Sequence, residues 1–312
     1  MSGKNGNARN ERIMRRVRKQ RPQNPPLIIR MRGVSGLARG RMESLFWDDF
    51  LAPPEGLKCA LRKTPFERIA IREIVRAINH IRLSLRLPPL LIPIQNVFMV
   101  DADLFNRLFP KHESGKGVSG HPYAYVIRVD DRADLVHTLA HEINHLASVA
   151  AFLVDATGVK FKDGTLRGKY RIKVTRSGLS ISEQKFCGLN EAITETLARM
   201  TIEEMASLNA PLPKSVLCEA ASLDAYVAQQ LVIDRVSKEI FGGKNAGYML
   251  AVWDYLTGTD DFLRTVRKKR PDAIRPLSEM TGYSASARDT AEALGYTDLK
   301  RRIERMIKDD AL

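Results

Sequence analysis

Apolar residues recur at helical spacing over some stretches and alternate over others, a rhythm that predicts a chain of mixed type. Across residues 64–87, Phe66, Ile69, Ile71, Ile74, Val75, Ile78, Ile81 and Leu85 keep the spacing of an amphipathic helix, which Pro88-Pro89 closes. Residues 94–100 read as a strand, 102–109 as a short helix, 111–120 as a glycine-rich loop and 123–129 as a further strand. A second helix follows at once. Val136, Leu139, Ala140, Ile143, Leu146, Ala147, Ala150 and Leu153 form its apolar stripe, and Asp130 and Asp131 are its cap candidates. Residues 158–182 return to β-like alternation, with Asp163-Gly164 as a hairpin signal. From Cys187 onward the rhythm is helical, near 189–206, 216–241, 246–256, 261–268 and 286–308, punctuated by Gly242-Gly243 and Gly258. These elements predict an α+β fold without internal repeats. A basic tail (1–43) precedes a domain (44–312) made of a half with a small mixed sheet and the second long helix (44–186) and a mainly helical half (187–312).

The second long helix carries the chemistry. It holds His141, Glu142 and His145 in the order His-Glu-x-x-His. Positions four apart lie about 40° apart around a helix, so both imidazoles leave one face, roughly opposite the stripe centred on Ile143. That arrangement predicts a core on one side and a cavity on the other. Two neutral imidazoles at this spacing can bind one Zn²⁺, and the glutamate beside the first can act on a metal-bound water. The plainer alternative is a chance match on a helix with solvated histidines.

A zinc peptidase needs a third ligand. Ser148 and Ala151 stand where the metzincin pattern has glycine and histidine, and no histidine follows His145. Downstream lies Gly188-Leu189-Asn190-Glu191-Ala192-Ile193-Thr194-Glu195. This run resembles the second motif of the gluzincins, the thermolysin-like zinc peptidases. The resemblance covers residues 94–200, about a third of the chain, and rests on two short motifs in the right order. It implies a zincin-like fold, a single zinc ion, Glu191 as third ligand and Glu142 as general base in peptide-bond hydrolysis. It also implies that Glu195 hydrogen-bonds the first histidine ligand, where the family usually has aspartate. In this family the strand before the zinc helix is often the edge along which substrate lies, so 123–129 takes that part unless it is an interior strand. The 46 positions from His145 to Glu191 exceed the thermolysin spacing. A tyrosine or histidine supplies the oxyanion donor across the family. Tyr226, Tyr248 and Tyr255 are the candidates, with Tyr226 first.

Other residues take blander readings. His137 belongs to the helix surface or supports the site, and His121 sits in a loop before the 123–129 strand. Cys187 reads as a buried structural thiol rather than an inhibitory one, and Arg267-Lys268-Lys269-Arg270 as a solvated helix end.

Charge alters the picture at one end only. The 312 residues carry a net charge of +14, and residues 1–43 hold twelve Lys/Arg against two Glu, about +10 of it. That tail has too little apolar content to fold alone, which predicts disorder or a fraying helix. It is either a solubilising segment or an arm for nucleic acid or an anionic surface, and no aromatic residue interleaves its cations to stack on bases. Three cysteines (Cys59, Cys187, Cys218) show no paired spacing, which suits a reducing compartment. No apolar run is long enough to span a bilayer, and a cytoplasmic location is expected. The reading is therefore a zinc-dependent peptidase acting on peptides or proteins. A deformylase-like amidase would need Cys59 as a ligand in a matching context, which is absent. The remaining alternative is a nucleic-acid-binding protein that works through its basic arm, with the zincin fold as scaffold.

Overall fold

Local chemistry starts and stops the first long helix where the sequence suggests. The structure, a computed structural model, describes residues 27–31, 60–110, 116–120, 123–155, 158–172 and 179–309. Expectations for the rest of the basic tail, Cys59 and His121 lie outside these residues. Helix α1 (Pro65–Ser84) opens on a capping box: Thr64 Oγ1 accepts the Glu67 N–H at 3.2 Å, and Glu67 Oε2 accepts the Thr64 N–H at 2.6 Å. A 3-10 turn (Ile94–Asn96) then leads into strand β2 (Val97–Val100). Asp101 caps the short helix α2 (Ala102–Leu108) through the Leu104 N–H. Strands β3 (Gly117–Gly120) and β4 (Tyr123–Ile127) follow, and then helix α3 (Arg132–Ala147).

After α3 come four strands, β5 (Ala150–Asp155), β6 (Gly158–Asp163), β7 (Leu166–Ile172) and β8 (Leu179–Lys185). The rest is helical: α4 (Cys187–Ser207), α5 (Lys214–Ser222), α6 (Val227–Phe241), α7 (Lys244–Thr257), α8 (Asp261–Lys269), α9 (Ile274–Glu279), α10 (Ser284–Ala293) and α11 (Thr297–Asp309). The chain is α+β, and among the described residues no single helix is long and apolar enough to cross a membrane.

The described residues form two compact units, one of 60–147 and 198–223, the other of 27–31, 148–197 and 224–309. In the first unit the sheet order is β2-β4-β3, with β2 parallel and β3 antiparallel to β4. Its core joins Ile71, Ile74 and Ile78 of α1, Met99, Val126, the apolar stripe of α3, and Ala198, Ile202 and Met205 of α4. In the second unit the sheet order is β1-β5-β6-β7-β8, with β1 (Leu27–Met31) parallel to β5 and the remaining pairs antiparallel.

The fold departs from the sequence expectations at several places. Leu27–Met31 falls in the tail for which disorder or a fraying helix is expected, but it is a strand: Leu27-Ile28-Ile29 is an apolar, β-branched run, and the segment pairs with Ala150–Val154. The apolar stripe continues through Ala150 and Leu153, yet α3 stops at Ala147, and those residues belong to β5. Strand 123–129 is central in its sheet, so it is not the open edge; β2 and β3 flank it. The expected helix 216–241 is interrupted at Leu223–Tyr226, and 286–308 is interrupted at Gly295, whose φ of 75° ends α10. The basic run after Val266 is also only partly solvated. Lys269 Nζ donates to the Ile240 carbonyl at 2.7 Å, and Arg270 bonds Glu239, the Tyr296 hydroxyl and the Leu294 carbonyl.

Glu67 gives the first unit an acid-sensitive staple. Its buried carboxylate accepts from Arg128 Nε at 2.7 Å and Arg128 Nη2 at 2.9 Å, besides the cap. Burial alone would raise its pKa, but the hydrogen bonds from Arg128 and Thr64 outweigh burial and hold it below the ordinary value. A depressed folded-state pKa contributes stability that is present above the unfolded value of about 4.3 and lost as pH falls through the folded value. In denaturant titrations below about pH 5, the wild-type protein should lose unfolding free energy more steeply than Glu67→Gln. Parallel slopes would remove Glu67 as the cause.

Candidate metal centre

Helix α3 is anchored at its start. Asp131 Oδ1 accepts from the N–H groups of Ala133 (2.8 Å) and Asp134 (3.1 Å), and its negative charge suits a helix N-terminus. The stripe from Val136 to Ala147 is in the core, and the opposite face is enclosed too: His141, Glu142 and His145 are only 6–7 % exposed. The two imidazoles stand 5.0 Å apart between ring centroids, tilted 72°. Asn144, between them in sequence, points elsewhere: its Nδ2 donates to the Ala140 carbonyl (2.8 Å) and to Thr201 Oγ1 on α4 (3.1 Å). His137 is buried, with Nδ1 3.1 Å from the Ala220 carbonyl on α5, which makes it a packing residue.

Strand β3 comes very close to Glu142. A methyl group placed on Gly117 would stand 2.6 Å from Glu142 Cγ and 2.7 Å from Oε1. Only glycine leaves the carboxylate its present place. The sequence marked 111–120 as glycine-rich without showing which glycine mattered.

Helix α4 is seated in the second unit by its first residues. Gly188 donates to the Met280 carbonyl at 2.8 Å, and a methyl there would stand 2.4 Å from the Thr281 carbonyl oxygen. Asn190 Oδ1 accepts the Thr165 N–H (2.9 Å), the Thr165 hydroxyl (3.1 Å) and the Leu166 N–H (3.2 Å), tying the β6–β7 turn to the helix. Gly164 makes that turn with φ 56°, and a side chain there would strike the Tyr255 ring. Thus the asparagine of the Asn-Glu pair is a clamp for the hairpin, a role that spacing along the chain could not show. Glu195 is fully buried, and its Oε1 accepts from the Ala225 N–H at 3.3 Å. Burial, and next the Glu191 charge, push the Cys187 thiol up to about 11, so it stays protonated near neutrality.

The donor atoms of His141, His145 and Glu191 all lie within 4.8 Å of one another, a group that could hold a metal ion. A tetrahedral ion with bonds of about 2.1 Å spaces its ligand atoms about 3.4 Å apart, within the 4.8 Å span of this group. Two imidazoles and one carboxylate also form a nitrogen–oxygen set that leaves a fourth position for solvent.

Of the three tyrosines, two are committed to packing. Tyr248 donates to the Gln230 carbonyl at 3.0 Å, and the fully buried Tyr255 hydroxyl lies 2.7 Å from Thr194 Oγ1. Tyr226 differs. It precedes α6 with φ 54°, unusual for an aromatic residue, and a methyl on Gly282 would stand 3.2 Å from its ring and 4.0 Å from Glu191 Cγ. Tyr226 and Glu191 therefore flank one glycine.

Asn190→Leu keeps the volume but leaves the Thr165 and Leu166 N–H groups without their acceptor. It should lower unfolding free energy by about 2–4 kcal/mol in denaturant titration, whereas a drop under about 0.5 would contradict the clamp. No family model, curated protein or solved structure matches the chain.

Proposed function

We propose that the protein is a zinc-dependent peptidase of gluzincin type with a zincin-like fold. The observation that supports it is the grouping of His141, His145 and Glu191 with Glu142 adjacent. The order His-Glu-x-x-His followed by Asn-Glu is the second support. His141 and His145 would hold the ion as neutral imidazoles, and Glu191 as a carboxylate. A bound zinc supplies a water acidified toward about pH 7 and a positive charge beside the substrate carbonyl.

The protein's own groups do the rest. Glu142, enclosed and backed by Gly117, would take a proton from the attacking water and return it to the departing amine nitrogen. Tyr226 is the candidate to donate from its hydroxyl to the carbonyl oxygen as charge builds there. Because β4 is interior among the described strands, the edge offered to an extended peptide beside α3 is β3, along which a peptide can add as a further strand. Glu195 is buried one turn beyond Glu191 and suits a supporting acid.

Glu142→Gln should abolish hydrolysis in a peptide-library digest while the protein retains one zinc by elemental analysis. Retained activity would remove Glu142 as the base. Gly117→Ala should lower kcat at least about tenfold with zinc unchanged, because the added methyl displaces the carboxylate. Unchanged kcat would show that the close approach has no catalytic part.

A further inference from the structure

Away from the metal centre, in the second unit, a pocket of about 250 Å³ is lined by Arg167, Arg264, Arg267, Asp260, Phe186 and Leu263. Leu263, Arg264 and Arg267 share one face of α8, with Asp260 just before it. Arg167 enters from β7. Lys162 on β6 and Lys185 on β8 stand directly across from it on the neighbouring strands. Like charges opposite one another destabilise a sheet. Asp260 offsets part of this, pairing with Lys162 at 2.8 Å and Arg167 at 2.5 Å. Arg264 reaches Asp261 only at the exposed surface, and Arg267 has no ion pair among the described residues. Arg167, Arg264 and Arg267 thus line this pocket together with one carboxylate, Asp260.

The floor is built with strain. Phe186 holds φ 63°, a conformation costly for an aromatic residue, while its N–H donates to the Ser278 carbonyl at 2.9 Å. Its buried ring and Leu263 give the pocket an apolar wall, which strengthens the field of the guanidinium groups above it.

We infer that this pocket binds a phosphate group, with a diphosphate as the ligand that fits best. Guanidinium forks match phosphate oxygens two at a time, and three arginines line this one pocket. The volume falls below the usual range of about 300–1,000 Å³ for small-molecule sites, so the pocket takes a charged end and leaves any organic body outside. The site is independent of the peptidase reading, since none of its residues belongs to the candidate metal centre.

The test is calorimetric titration of the full chain with inorganic pyrophosphate, orthophosphate and ADP at about 0.15 M salt, where diffuse attraction is screened. Pyrophosphate should saturate one site per chain. Arg264→Ala combined with Arg267→Ala should weaken it at least about tenfold, and Arg301→Ala with Arg302→Ala, exposed on α11, should change it less than about twofold. Arg267→Lys, which keeps charge but loses the fork, should fall between. ADP binding as tightly as pyrophosphate, with the same loss, would identify an organic diphosphate; preference for orthophosphate would identify the free ion. Pyrophosphate also chelates metals, so the decisive reading is the difference between the two double variants, which share the same metal centre. Absence of saturable binding by all three anions, or equal weakening by both double variants, would overturn the inference.

Discussion

The register of helix α4 against α3 is the constraint on which the candidate centre depends. Asn144 is almost wholly buried, so its amide must find partners, and Thr201 supplies one at 3.1 Å. Around that bond Ala198, Ile202 and Met205 join the same core as Leu139, Ile143 and Leu146. Helix α4 is continuous from Cys187 to Ser207, with Glu191 in its first half. The first half is held independently, by Asn190 on the β6–β7 turn and by Gly188 against the Met280–Thr281 backbone. A glutamate ligand still has its side-chain torsions to fix, and an anchored helix narrows that search.

Close backbone approach is the second theme. Gly117, Gly164, Gly188 and Gly282 sit where a methyl group would meet Glu142, Tyr255, Thr281 or Tyr226. Each lets one segment lie against a polar side chain or carbonyl that must stay in place. Local sequence gives such glycines no periodicity, which is why they emerge only with the fold.

What was legible in the chain follows from how local each interaction is. The His-Glu-x-x-His spacing and the Asp131 cap are decided within two turns, and both were readable. The Asp163-Gly164 turn and the helices near 189–206, 246–256 and 261–268 were readable for the same reason, whereas the breaks at Leu223–Tyr226 and Gly295 were not. The end of α3 was not, because the apolar residues of β5 continue its stripe by coincidence and only pairing with β1 and β6 makes them a strand. β1 was hidden in a basic tail, since a parallel partner more than 120 positions away leaves no mark on nearby residues. The interior place of β4 likewise depends on β3, a four-residue strand with two glycines and weak intrinsic preference. Glu191 was found through its motif and not through any rule of spacing.

The most direct measurement is X-ray absorption at the zinc edge on the full chain loaded with one equivalent of zinc. The account predicts a shell of two imidazole nitrogens and light oxygen neighbours at about 2.0–2.2 Å, with one oxygen lost in Glu191→Ala. A sulfur shell, or a spectrum unchanged by Glu191→Ala, would contradict the shared centre of His141, His145 and Glu191.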